Sequence, residues 1–173
     1  MDSQQLRDLQ APLKEQYRET PEAAQVTLTA TGRLDGDGIA CHVETGRQLT
    51  EAGLHPATGG DGTALCSGDM LLESLAACAG VTLRAVATAL EIPVQGGTVT
   101  AEGDLDFRGT LAVERDTPIG FQRVRLQFAL ETDADEEQLA TLLKLTERYC
   151  VVLQTLKQVP ELSVGHTVQG AAE

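Results

Sequence analysis

Residues 67–92 read SGDMLLESLAACAGVTLRAVATALEI, a run of helical length with no proline inside it. After the first turn and before Glu91 its only charges are Glu73 and Arg84, and nearly every other position is apolar or small. A helix apolar on almost all sides is buried on most of them, so this run is expected to be the central helix of an α+β domain. Ser67 is the expected N-cap, and Asp69 in the first turn suits the positive end of the helix dipole. Cys78 lies near the middle, just before Ala79-Gly80, and is the chemical point of the run.

Working outward toward the C-terminus, Pro93 and Gly96-Gly97 break the chain. Residues 98–113 then read as strand, with a bulge expected at Gly103. A second strand is expected over 121–131, where Val124, Leu126, Phe128 and Leu130 alternate with Arg123, Arg125 and Gln127. Asp135 and Gln138 form a capping box that opens a second long helix, ending at Pro160. Leu139, Leu142, Leu143, Thr146, Cys150 and Leu153 follow its helical spacing, so Cys150 shares the leucine stripe. A last strand is expected over 162–168.

Toward the N-terminus, the stretch 55–63, HPATGGDGT, is a Gly-rich loop that delivers the chain to the central helix. It lacks the pattern and the following Lys of a phosphate-binding loop. Val26, Leu28 and Ala30 alternate with threonines and are expected to form a hairpin with the strand 39–43. Leu6, Leu9, Leu13 and Tyr17 space an amphipathic helix over 2–18, in which Pro12 must occupy the first turn or bend the helix. The expected organisation is an N-terminal helical extension, residues 1–24, ahead of a single domain, residues 25–173.

Composition bounds the function. The chain of 173 residues carries 26 acidic and 13 basic side chains, a formal net charge of -13, which argues against nucleic acid and anionic membrane surfaces as partners. Glu73 and Arg84 interrupt the one long apolar run, so no membrane span is expected. The first twenty residues are too polar and acidic for a signal peptide, and a cytoplasmic protein is the expectation. Cys41, Cys66, Cys78 and Cys150 show no CxxC spacing, and His42, His55 and His166 show no ligand spacing, so no metal site is expected.

Two readings of Cys78 and Cys150 stand side by side. Both are core thiols acting as small hydrophobes, or they are a dithiol pair in which a sulfenic acid on one condenses with the other. Cys41 and Cys66 read as structural.

The segments GGDGT (59–63), DMLLESLAACAG (69–80) and TERYCVVLQTL (146–156), in this order and spacing, resemble the OsmC/Ohr family of organic hydroperoxide reductases. The resemblance spans roughly residues 26–168. It implies an OsmC-like α+β fold, with mostly antiparallel sheets around a buried central helix, assembled as an intertwined homodimer. It further implies a thiol peroxidase that reduces organic hydroperoxides in oxidative stress defence, with Cys78 peroxidatic and Cys150 resolving. An external dithiol, lipoyl-type in the family, would be the reductant, and no metal, flavin or haem is needed. Arg33 corresponds to the family's thiolate-stabilising arginine, with Arg47 as the alternative. Asp69 stands for the carboxylate that holds the arginine, with Glu73 as the alternative. The chain departs from the family in lacking Asn-Pro-Glu at the helix start, where it has Ser67-Gly68-Asp69, and in having Val151 instead of proline after Cys150. The other reading the resemblance allows is a non-catalytic dimer of the same fold that binds a hydrophobic molecule or a partner.

Overall fold

Three alternating runs set the sheet, because each places its apolar residues on one face. The computed structural model describes residues 3–33, 42–43, 52–63 and 65–166. In chain order the elements are α1 (Ser3–Glu19), β1 (Gln25–Arg33), β2 (His42–Val43), β3 (Ala52–Gly53), β4 (Leu65–Cys66) and α2 (Ser67–Ala89). They continue with β5 (Gly96–Asp106), α3 (Phe107–Thr110), β6 (Arg123–Glu131), α4 (Glu136–Tyr149) and α5 (Val151–Lys157). The main sheet is antiparallel throughout, in the order β2-β1-β5-β6, and β3 and β4 form a separate parallel pair. This is the mixed helix and antiparallel-sheet architecture that the sequence predicts.

Register explains the layers. Val99 and Ala101 of β5 stand opposite Phe128 and Leu126 of β6, so all four share a face. That face meets α2, whose Leu72, Leu75, Ala76, Ala79, Leu83 and Ala87 are buried against it, with Leu142 of α4 and Cys150 completing the core. The other face is polar, and there Arg125 pairs with both Asp104 (2.7 Å) and Glu102 (3.1 Å). A second cluster holds Tyr17 of α1, Ala24, Phe107 and Leu111. It docks α1 on the body, and the Tyr17 hydroxyl also donates to the Ala57 carbonyl at 2.7 Å. Pro12 lies inside α1, well past its first turn.

Several expectations give way to the structure. The expected buried helix is two-sided: Leu71 and Val81 are 38% and 40% exposed on a stripe that includes Ser74 and the half-buried Cys78. By length and composition α2 is apolar enough to cross a membrane even with Glu73 and Arg84 in it, a test that the core helix of a folded domain also passes, and here α2 lines the core. Cys66, not Ser67, occupies its N-cap, without a side-chain hydrogen bond. Gly103 makes no bulge, since it pairs in continuous register with Leu28 and Val124. Its missing Cβ instead makes room for the Phe121 ring. The strand expected to reach residue 113 stops at Asp106, whose carboxylate caps α3 and forks onto Arg108. The capping box of α4 is present as read, but the expected single helix to Pro160 breaks at Cys150. Residues 161–166 form no strand, leaving Leu162 and Val164 78% and 100% exposed.

Candidate active site

The break at Cys150 is the feature from which the site is built. Its backbone is extended (φ -69°, ψ 104°), so one residue ends α4 and begins α5. The Cys150 amide still donates to the Thr146 carbonyl (2.9 Å), and its carbonyl accepts from the Gln154 amide (2.9 Å). The chain therefore turns without orphaning these groups. The turn buries Cys150 completely against α2.

There it is a neighbour of Cys78, near enough for the two thiols to shift each other's protonation, and no disulfide joins them. Burial pushes the Cys150 thiol up to about 11. The Val152 and Leu153 amides at the start of α5 pull the other way and are outweighed. The arrangement is asymmetric: Cys78 is half-buried on an apolar helix stripe, and Cys150 is sealed and holds its proton. One turn before Cys150, the fully buried Thr146 hydroxyl has no hydrogen-bond partner among the described residues.

Of the remaining expected site residues, the two carboxylates stand N-terminal to Cys78 on α2. Asp69 lies in the first turn of α2, nine residues before Cys78, which is ~13.5 Å along a helix axis. One turn on, Glu73 is buried (8% exposed), and its carboxyl is raised above the usual range by burial first and by the nearby Asp69 charge second. Glu73 and Arg84 do not pair: eleven residues of helix separate them by ~16 Å, and Arg84 donates to the Val94 carbonyl at 2.8 Å. Arg33 is the last residue of β1, opposite Thr98 and His42, and shares the alternation phase of Thr27. Only its backbone position is described, and Arg47 and Cys41 lie outside the described residues.

Sequence spacing did not bring forward His55. Its Nδ1 accepts from the Ala57 amide at 3.0 Å, and its ring stacks on Phe107 with centroids 4.9 Å apart. The two residues are distant in sequence and meet because α3 folds back under the loop before α2. No local pattern signals that. Among the described residues no group of His, Cys, Asp and Glu is arranged to hold a metal ion.

The family model described as OsmC-like protein matches residues 60–165. The fold is similar to the crystal structure of an OsmC-like hydroperoxide resistance protein from Jannaschia sp. CCS1, with a TM-score of 0.58 and 17% identity over 83% of this chain and 97% of that one. No functionally curated protein matches the chain.

Proposed function

Because the chain belongs to the OsmC-like protein family, we propose that it is a cysteine-based peroxidase that reduces organic hydroperoxides to alcohols. The observation that carries this reading is that Cys78 and Cys150 are neighbouring free thiols in one core cluster, one half-buried and one sealed. The Cys78 thiolate attacks the terminal oxygen of ROOH, the O–O bond breaks, and ROH leaves with a proton. Cys78 is then a sulfenic acid. The neighbouring Cys150 sulfur displaces its oxygen as water and forms the Cys78–Cys150 disulfide. A dithiol of the lipoyl type restores both thiols by exchange and leaves as its own disulfide. Each turnover thus moves two electrons from dithiol to peroxide in a reducing cytoplasm.

Arg33, or Arg47 in its place, stabilises the Cys78 thiolate in this reading. At its distance along α2, Asp69 orients that arginine without touching the sulfur, and Glu73 is the alternative carboxylate. The apolar stripe of Leu71 and Val81 around Cys78 favours organic over hydrogen peroxide. The same stripe, with Tyr149 and Val151 exposed at 56% and 71%, is the face that a second copy covers in the proposed homodimer.

The test is consumption of cumene hydroperoxide or tert-butyl hydroperoxide with dihydrolipoamide. The wild type turns over, Cys78→Ser does not, and Cys150→Ser stalls after one equivalent. Equal rates in wild type and Cys78→Ser would end this reading in favour of a non-catalytic dimer of the same fold.

A further inference from the structure

Away from the thiol pair, a cavity of about 400 Å³ opens between the inner sheet edge, α3, the β5–β6 connection and the first turn of α2. Its walls are mainly hydrocarbon, from Leu54, Leu71, Leu105, Phe107, Ile119 and Phe121. The volume lies within the roughly 300–1,000 Å³ of small-molecule sites, which pair apolar walls with a few fixed polar groups.

His55 is such a group. It lines the cavity with one face against Phe107 and with Nδ1 occupied by the Ala57 amide. An accepting Nδ1 puts the proton of the neutral ring on Nε2. Burial lowers the imidazole's proton affinity, which favours that neutral ring. Nε2–H has no acceptor among the described residues, so it is a donor pre-oriented by the Nδ1 bond. α1 holds the loop that carries it: Gln10 donates to the Thr58 carbonyl at 3.1 Å, and Tyr17 to that of Ala57.

The charge nearby narrows the ligand. Asp69 acts on His55 from just outside the cavity wall, so an anion beside His55 is repelled by its charge. We propose that this cavity is a second binding site, for a small, neutral, largely apolar molecule with one hydrogen-bond-accepting oxygen, which His55 Nε2–H receives. The site does not use the thiol pair, although it shares Leu71 with the stripe of the peroxidase reading. Cys66, half-buried on the cavity wall, reports its occupancy.

The experiment measures the alkylation rate of Cys66 by N-ethylmaleimide in the full chain, resolved by peptide mass spectrometry. Three probes are compared: cumyl alcohol, its oxygen-free analogue cumene, and 2-phenylpropanoate. Cumyl alcohol slows Cys66 alkylation saturably, at a concentration about tenfold below that needed with cumene, as one hydrogen bond implies. The carboxylate protects less than the alcohol. His55→Phe keeps a ring for Phe107, removes the donor and closes the gap between alcohol and cumene. Ile119→Trp, at a position 67% exposed, fills the cavity and abolishes protection by all three. Alkylation indifferent to every probe, protection that survives Ile119→Trp, or a gap that survives His55→Phe would each overturn the proposal.

Discussion

The sealed thiol of Cys150 neighbours Cys78 in the core, and it does so from the single residue that interrupts the C-terminal helical run. The fold holds Cys150 protonated, with a pKa of about 11 against 9.0 for an ordinary thiol. A folded-state pKa above the unfolded one means the native state binds the proton more tightly. The stabilisation is complete below pH 9 and is lost as pH rises through about 11. Thermal unfolding of the reduced protein should fall more steeply between pH 9 and 11 in wild type than in Cys150→Ala. Parallel slopes would show that the thiol is not held in this way.

That relationship was half legible in the sequence. The leucine stripe put Cys150 on the inner side of its helix, and the capping box at Asp135 and Gln138 fixed where the helix starts. The break was not legible, because Tyr149-Cys150-Val151 contains neither proline nor glycine, and only packing against α2 turns the chain there. Residues 161–166 fail for a related reason. Alternation marks a strand only where an edge receives it, and none does among the described residues. The two-sided character of α2 was hidden because Leu71 and Val81 are as apolar as the buried Leu72 and Leu83. His55 and Phe107 escaped because stacking between distant residues leaves no period to detect.

Thr146 offers a test of the wall beside Cys150. Its hydroxyl is fully buried and unpartnered among the described residues, and such a group costs about 1–3 kcal/mol. Thr146→Val keeps the shape and removes the polar atom. Urea denaturation should show a gain of about 1 kcal/mol, and a loss would mean that the hydroxyl has a partner in the assembled protein.

Gly103 and Phe121 test the packing of the sheet. A Cβ at Gly103 would overlap the Phe121 ring, in a strand whose register allows no bulge to absorb it. Gly103→Ala should destabilise by about 1–3 kcal/mol, and Gly103→Ala with Phe121→Leu should recover part of that. Gly60→Ala should cost more, because its Cβ would meet the Leu54 carbonyl backbone instead of a side chain that can swing away.

Glu73 separates the two candidate carboxylates. Burial and Asp69 raise its pKa in the folded state, so its contribution to stability is present below the ordinary carboxyl pKa and lost as pH rises through the raised one. At pH 7 Glu73→Gln should raise the melting temperature, because the amide has no charge to keep desolvated beside Asp69. The difference should vanish below about pH 4. A lower melting temperature at pH 7 would instead show that Glu73 holds a cation, making it and not Asp69 the partner of the arginine.

The central claim is that Cys78 and Cys150 form one redox couple. Fully reduced protein is mixed with one equivalent of cumene hydroperoxide, quenched in acid, digested without reductant and mapped by mass spectrometry. The account predicts a single cross-linked pair, the Cys78 and Cys150 peptides joined with the loss of two hydrogens. Recovery of both peptides as thiols would contradict it, as would Cys78 bridged to Cys66 or Cys41 with Cys150 still reduced.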